Sequence, residues 1–316
     1  MGVGENVKKG VLLVNLGTPT TPTAPAVRSY LSRFLMDRRV IDVPRPVWWP
    51  ILHGMILPIR PSRSAALYRK IWTKQGSPLL LYTQQQTRQL QRLLPQQVVR
   101  YAMCYSAPTV DTALQEMQQL GVTDLTVIPQ YPQYSTTTVG SVFDQVAAYF
   151  MQHSALPQLH FISSFYQEPR YIKALANQIK RALIKQPDAH LVFSYHGIPQ
   201  KYADNGDPYP QQCTATTQQV MTLVGDVPYT QSYQSKFGPG QWLNPATAQI
   251  MHQLPQQGSK KVIIITPGFV ADCLETLQEI NHENCDYFIT SGGTDFTYLH
   301  PFNGSQTYTQ LLATLA

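Results

Sequence analysis

A histidine and a ladder of acids are the side chains in this sequence whose types and positions suit chemistry. His196 directly follows an apolar run that ends at Tyr195, and a Gly-Ile-Pro turn comes after it. A histidine held at the end of a strand can be a neutral base or a metal ligand, because its reference pKa of ~6.5 lies near physiological pH. A single structural hydrogen bond is the alternative role, and position alone leaves both open.

Four acids recur at spacings of three, four and four residues: Asp272, Glu275, Glu279 and Glu283. If the segment is helical, they share one face. Stacked carboxylates repel one another, and a face built for stability would include Lys or Arg, which this stretch does not have. A solvated acidic face is the alternative. The ladder beside a strand end instead indicates a path for a divalent cation.

The elements that must position these side chains follow from the alternation of short apolar runs with segments of helical period. We predict strands at 11–16, 98–103, 125–129, 159–163, 191–195, 229–233 and 262–266, and helices near 26–35, 83–94, 110–120, 142–151, 171–184, 212–223 and 246–254. Apolar strands interleaved with helices indicate parallel sheets covered on both faces. The fold class is therefore α/β, with two doubly wound sheets.

The length of 316 residues predicts two domains, and a boundary near 153–165 gives domains 1–158 and 159–316. In such sheets ligands bind beyond the carboxyl ends of the strands, where His196 lies. No strand is followed by a G-x-G-x-x-G or GxxxxGK[ST] turn, so dinucleotide and P-loop functions lose their main support.

The net charge of +6 is concentrated in one segment. Residues 28–74 contain ten Lys or Arg against Asp37 and Asp42. Such a patch suits an anionic ligand or an anionic membrane surface. Nucleic acid is not expected, because the sequence has no RNP, helix-turn-helix or zinc-finger pattern.

The segment 44–60 is apolar, contains Trp48 and Trp49, and is interrupted by four prolines. It is too short to span a membrane, which takes ~20 apolar residues, but it suits an interfacial lip. A loop packed on the core is the alternative. The start of the chain indicates a first strand and not a signal peptide, so we expect a soluble or peripheral protein.

Cys104, Cys213, Cys273 and Cys285 lie far apart with no CxxC pair. This spacing indicates a reducing compartment and argues against disulfides and a compact zinc site. It also disfavours an iron–sulfur cluster.

Eight motifs, in order along the chain, resemble those of the ferrochelatase family. They are VNLGTP at 14–19, QGSPL at 75–79, YPQYS at 131–135, SYHGIP at 194–199, GDPY at 206–209, YQSKFG at 233–238, WL at 242–243 and PGFVADCLET at 267–276. The first motif is closer to the protoporphyrin type. Lys236 stands where the family usually has Arg, and Gln278 where Glu is frequent.

The resemblance implies two Rossmann-like domains with the active-site cleft between them. It implies a lyase that inserts ferrous iron into protoporphyrin IX, releasing two protons, as the terminal step of haem biosynthesis. Iron is then a substrate, with no permanently bound cofactor and no iron–sulfur cluster. The enzyme would be cytoplasmic and peripheral on the inner face of the membrane, as a monomer or a homodimer.

The resemblance also assigns roles to residues. His196 and Glu275 would be catalytic and metal-binding, and the apolar segment around Trp48 and Trp49 would form the lip of the cleft. The porphyrin-binding residues would be Leu16, Met36, Tyr131 and Ser135. From the acid ladder itself we expect Asp272, Glu279 and Glu283 to form the path for cations or protons. Two alternatives remain: a chelatase for another metal and a hydrophilic tetrapyrrole, or a porphyrin carrier without turnover.

Overall fold

The computed structural model describes residues 7–236, 238 and 240–316, and the chain divides into two compact units. The first unit comprises the described residues up to Gln130, Thr136–Ser164 and Gly304–Ala316. The second comprises Tyr131–Ser135 and Phe165–Asn303. These bounds differ from the predicted domains 1–158 and 159–316, because the last helix packs with the first unit and segment 131–135 with the second.

The first unit is built on a parallel sheet with strand order β2-β1-β3-β4. Its strands are β1 (Lys9–Asn15), β2 (Val98–Met103), β3 (Asp124–Pro129) and β4 (Gln158–Phe161). Val11 of the central strand lies opposite Val99 on one side and Thr126 on the other. The apolar residues of β1 are fully buried because helices cover both faces of the sheet.

The helices of the first unit include every helix predicted there. They are α1 (Ala24–Leu35), α2 (Arg45–Ile51), the π-helix π1 (Leu52–Ile56), α3 (Leu57–Ile71), α4 (Pro78–Leu93), α5 (Val110–Gln119), the π-helix π2 (Thr136–Gly140), α6 (Ser141–Met151) and α12 (Gln306–Leu315). The last of these is held to α4, since Thr309 Oγ1 donates to Gln89 Oε1 over 2.7 Å.

The second unit repeats the same strand order, β6-β5-β7-β8, again with parallel pairing. Its strands are β5 (His190–His196), β6 (Tyr229–Gln234), β7 (Lys261–Ile265) and β8 (Asp295–Leu299). Its helices are α7 (Pro169–Lys185), α8 (Gln200–Asp204), α9 (Tyr209–Val224), α10 (Thr247–Gln256), the π-helix π3 (Glu275–Asn284) and α11 (Cys285–Thr290). The predicted α/β class with two doubly wound sheets is confirmed.

The strand order of the second unit places His196 at a point where ligands commonly bind. β5 has β6 on one side and β7 on the other, so the chain leaves the sheet in opposite directions from the two central strands. Such a switch point opens a crevice at the carboxyl edge. His196 ends β5, and the segment after β7 leads into π3, so both parts of the expected site lie at this edge.

Candidate active site

The ring of His196 is held in one tautomer. Its Nδ1 lies 2.7 Å from the carbonyl oxygen of Gly197. A carbonyl only accepts, so Nδ1 carries the proton and Nε2 of the neutral ring keeps a lone pair. Burial lowers the pKa of His196, partly opposed by the Glu275 carboxylate and by the bond to Gly197. The imidazole is therefore neutral near pH 7 and can accept a proton or bind a cation through Nε2.

The turn that holds this ring requires glycine at position 197. The Gly197 amide donates to the Gln234 carbonyl oxygen over 2.7 Å. A Cβ at this position would lie 2.8 Å from the same oxygen, closer than van der Waals contact allows. The β5 and β6 chains thus approach each other closely where the strands end.

We expect Gly197→Ala to destabilise the protein by ~1–3 kcal/mol, because overpacking would push the β5 turn away from β6. Urea unfolding measures the change. Gly54→Ala is the control, since a Cβ at Gly54 meets nothing within 4 Å. Equal stabilities of the two variants would contradict the expectation.

Glu275, the first residue of π3, is tied to the end of β6. Its backbone carbonyl accepts a hydrogen bond of 3.1 Å from Gln234 Nε2. Gln234 is buried, and its Oε1 accepts from Ser194 Oγ over 2.9 Å. Gln234 thus joins the start of π3 to the turn after His196, because its carbonyl oxygen accepts from the Gly197 amide. The Glu275 carboxylate acts to raise the pKa of His196, against the larger effect of burial.

Glu279 is a largely buried acid in the next turn of π3. Burial raises its pKa to about 7; hydrogen bonds from Ser235 oppose this shift, and the charges of Glu275 and Glu283 add to it. The Ser235 amide donates to Oε1 over 2.6 Å, and the Ser235 hydroxyl donates to Oε2. Glu283 follows in the same helix. A group that titrates near pH 7 is suited to taking up and releasing protons.

Asp272 precedes π3 and lies in a different setting from the other acids. Although burial favours its neutral form, hydrogen bonds from His300 and Asn303 hold the pKa of Asp272 below its usual value. Oδ1 accepts from Thr276 and Tyr298, and Oδ2 accepts from His300 and Asn303, at 2.7–3.0 Å. Four donors occupy the carboxylate, so Asp272 anchors the start of π3, and its role in a path for cations or protons stays a prediction.

The ion pair of Asp272 and His300 should make stability depend on pH. The folded-state pKa of Asp272 is lowered from 3.8, so its contribution exists above that value and is lost as pH falls. The pKa of His300 is raised from 6.5, mainly by its hydrogen bond to Asp272, so its contribution exists below 6.5 and is lost as pH rises. We expect the stability difference between the unmodified protein and His300→Ala to peak between these values in urea unfolding. A difference that is constant from pH 3 to pH 9 would contradict this.

The predicted porphyrin residues Tyr131 and Ser135 belong to the second unit. Ser135 is fully buried, and its hydroxyl donates to Asp207 Oδ2 over 3.0 Å. The other oxygen of Asp207 accepts from the Tyr209 amide. Ser135 therefore fixes the segment to the start of α9, and Tyr131 is half-buried at the other end of the segment.

The other predicted porphyrin residues, Leu16 and Met36, belong to the first unit. Leu16 directly follows β1, is half-buried, and donates its amide to Asn15 Oδ1 over 2.8 Å. Met36 directly follows α1, and Arg45 of α2 donates to its sulfur over 3.6 Å. Two of the four predicted porphyrin residues therefore lie in each unit.

The apolar segment 44–60 is helical, and its two tryptophans differ. Trp48 is buried and donates from Nε1 to the Leu35 carbonyl oxygen over 2.7 Å, which anchors α2 to α1. Trp49 is 54% exposed, and it shares the surface of α2, π1 and α3 with other large apolar side chains. These are Val47, Ile51, Met55 and Ile59. No helix in the described part of the chain is long and apolar enough to span a membrane.

Sequence reasoning did not single out Ser235, Gln234, Asp207 or His300 as site residues. Ser235 and Gln234 lie in the YQSKFG motif and Asp207 in GDPY, so their motifs were found but their partners were not. Among the described residues, no cluster of three or more His, Cys, Asp or Glu side chains is arranged to hold a metal ion. Cys104, Cys213, Cys273 and Cys285 are free thiols.

Solved structures of two chelatases share this fold. The structure of CbiX, the terminal enzyme for biosynthesis of siroheme in denitrifying bacteria, aligns with TM-score 0.54 and 13% identity over 97% of both chains. SirB from Bacillus subtilis with Fe3+ aligns with TM-score 0.54 and 10% identity over 98% of this chain and 94% of its own. At such identities the likeness shows the fold, which is that of the chelatases.

Sequence comparison then gives the family. The family model described as Ferrochelatase matches residues 8–316, and the chain belongs to this family of metal-chelating lyases. It is 49% identical to the coproporphyrin III ferrochelatase of Enterococcus faecalis over 96% of this chain and 97% of that protein. It is 45% identical to the ferrochelatase of Pectobacterium atrosepticum over 98% and 97%, and 47% identical to that of Edwardsiella ictaluri over 98% and 97%.

Proposed function

We propose that this enzyme inserts ferrous iron into protoporphyrin IX to form protohaem, with release of two protons. The observation that carries the proposal is the neutral imidazole of His196, with its Nε2 lone pair, whose turn Gln234 joins to Glu275. Metal insertion needs a base for the pyrrole protons and a ligand for a cation losing its water, and this pair supplies both.

His196, Glu275 and Glu279 have separate roles in the proposed reaction. Nε2 of His196 accepts a proton from a pyrrole nitrogen, and the carboxylate of Glu275 stabilises the imidazolium that forms and provides the oxygen ligand for the entering iron. Glu279, whose pKa lies at about 7, takes up protons and passes them toward Glu283. Binding energy at the periphery of the porphyrin distorts the ring and exposes its nitrogens. Leu16, Met36, Tyr131 and Ser135 contribute to that binding.

A second candidate substrate is coproporphyrin III. Two observations favour it: the relative at 49% identity carries that name, and residues 28–74 are strongly basic. Coproporphyrin has propionates where protoporphyrin has vinyl groups, so extra cations would favour it. The exposed apolar surface around Trp49 favours the less charged protoporphyrin, which partitions into membranes.

The two candidate substrates can be compared by following the absorbance of each porphyrin with ferrous iron under anaerobic conditions. We expect the porphyrin spectrum to change to that of haem with a higher kcat/KM for protoporphyrin IX than for coproporphyrin III. The reverse order would assign coproporphyrin III as substrate. Binding of both without iron-dependent turnover would replace the enzyme by a porphyrin carrier, and turnover with cobalt or nickel alone would indicate another chelatase.

We also propose that the protein is cytoplasmic and binds the membrane peripherally through the exposed apolar surface of α2, π1 and α3. Its arginine-rich surroundings suit anionic headgroups, and Trp side chains favour the interfacial region. One of the arginines, Arg39, is already paired with Asp144 at 2.7 Å.

Trp49→Ser should weaken binding to vesicles of phosphatidylglycerol and phosphatidylcholine about 10- to 100-fold, because burying a large apolar side chain contributes ~1.5–3 kcal/mol. Co-sedimentation measures the affinity. Ile184→Ser in α7 removes another exposed apolar side chain, 81% exposed, and serves as the matched control. Equal binding by both variants would contradict the membrane surface.

A further inference from the structure

Ser235, the residue that follows β6, has an unusual backbone conformation. Its φ is +66°, and among the described residues it and Asn303 are the non-glycine residues with positive φ. L-residues enter this region at a cost, and such conformations persist where the surroundings fix them. Ser235 is therefore held in place by its contacts.

This conformation allows Ser235 to form hydrogen bonds to both carboxylate oxygens of Glu279. The Ser235 amide donates to Glu279 Oε1 over 2.6 Å, while its hydroxyl donates to Oε2. Hydrogen bonds to a charged acceptor are about twice as strong as neutral ones, and two of them fix both position and rotation.

Gln234, the residue before Ser235, forms hydrogen bonds to the turn after His196 and to Glu275. Its carbonyl oxygen accepts from the amide of Gly197, directly after His196, and its side chain donates to the carbonyl of Glu275. Gln234 also pairs with His196 in the β5–β6 register. The end of β6 thus contacts the histidine turn and two of the three acids of π3, Glu275 and Glu279.

We propose that Ser235 is a positioning residue for metal insertion, which fixes the Glu279 carboxylate through its amide and hydroxyl so that Glu279 can relay protons away from Glu275 and His196. The inference rests on the proposed function and adds to it a residue that acts through another. The hydroxyl supplies one of the two bonds, so its removal frees the carboxylate to rotate about the remaining bond to the amide.

Ser235→Gly tests the contribution of the hydroxyl apart from that of the backbone amide. Glycine adopts φ of +66° without strain and keeps the amide donor, so the fold and the turn persist. We expect kcat for iron insertion to fall roughly tenfold with the KM for porphyrin unchanged, because the loss concerns a step after binding. Ser235→Ala should show a similar loss of kcat, since it also lacks the hydroxyl.

A double-mutant cycle tests whether Ser235 acts through Glu279. Ser235→Gly should lower kcat in the unmodified protein but cause no further loss in Glu279→Gln, because the target carboxylate is already gone. Thr230→Val is the control, since this β6 hydroxyl bonds to His190 Nε2 at the start of β5.

Normal kcat in Ser235→Gly, or equal losses with and without the Glu279 carboxylate, would overturn the inference. The unmodified protein is assayed first. If it binds porphyrin but does not insert iron, the proposed function fails. If it turns over and Ser235→Gly does so equally well, only the role of Ser235 fails.

Discussion

His196→Ala should abolish iron insertion while porphyrin binding persists. The variant loses the Nε2 lone pair and with it the base for the pyrrole protons, a contribution of ~10²- to 10⁴-fold for a positioned general base. Porphyrin binding depends on contacts spread over the macrocycle, so its Kd should change little. Stopped-flow absorbance under anaerobic conditions gives kcat, and quenching of protein fluorescence by porphyrin gives Kd.

His190→Ala is the matched control for this loss. His190 begins the strand that His196 ends, is also half-buried, and bonds to Thr230 Oγ1 over 2.8 Å. Its removal deletes a histidine from β5 without touching the carboxyl edge, so we expect nearly normal kcat. A His196→Ala enzyme with kcat near that of His190→Ala would refute the assignment of His196 as the base.

The location of His196 was predictable because it depends on local signals. The apolar run 191–195 predicts a buried strand, and residues after such strands in α/β sheets face the ligand edge. β5 is confirmed as His190–His196. The neutral tautomer was not predictable, because it depends on the direction of the Gly197 carbonyl in the turn.

The sequence predicts that the four acids of the ladder belong together, but it does not predict the different contacts that each of them makes. Spacing alone treats Asp272 like Glu275 and Glu279. The structure separates them through residues far away in sequence: Asp272 meets His300 and Asn303, and Glu279 meets Ser235. A sequence pattern cannot show which residues two distant segments bring together. It also does not show that the helix is of the π type, in which i→i+5 bonds widen the turn.

The helices in segment 44–60 were not predicted, because its four prolines interrupt the apolar pattern. Pro46 and Pro58 occupy the first turns of α2 and α3, where an amide has no partner within the helix, so they fit rather than break it. The strand β8 was missed for a different reason. Its sequence Asp-Phe-Thr-Tyr-Leu alternates, and most of its residues are half-buried at the sheet edge, so no continuous apolar run marks it.

Glu279→Gln should slow iron insertion about tenfold and remove a pH dependence. The pKa of Glu279 is raised to about 7, so the carboxylate that accepts protons becomes populated as pH rises through 7. In the unmodified enzyme kcat should therefore rise between pH 6 and pH 8. Glutamine keeps the size of the side chain but cannot take up a proton, so the variant should lack this rise.

The same substitution should stabilise the folded protein at high pH. A carboxyl whose folded pKa is raised contributes stability below its unfolded pKa, here 4.5, and loses that contribution as pH rises through about 7. Above pH 7 the unmodified protein holds a buried charge near Glu275 and Glu283, and glutamine does not. We expect Glu279→Gln to gain ~1–3 kcal/mol at pH 8 relative to its difference at pH 5, measured by urea unfolding.

Asp286→Asn separates these effects from a general loss of negative charge. Asp286 lies in α11 directly after π3, is exposed, and pairs with His282 over 3.2 Å. We expect its replacement to leave both kcat and the pH dependence of stability nearly unchanged. If Glu279→Gln lowers kcat but gains no stability at pH 8, the buried Glu279 carboxylate does not lower the free energy of unfolding. If Glu279→Gln gains stability at pH 8 but its kcat still rises with pH, a group other than Glu279 takes up the protons. The buried Glu279 carboxylate would then destabilise the folded protein without serving proton transfer.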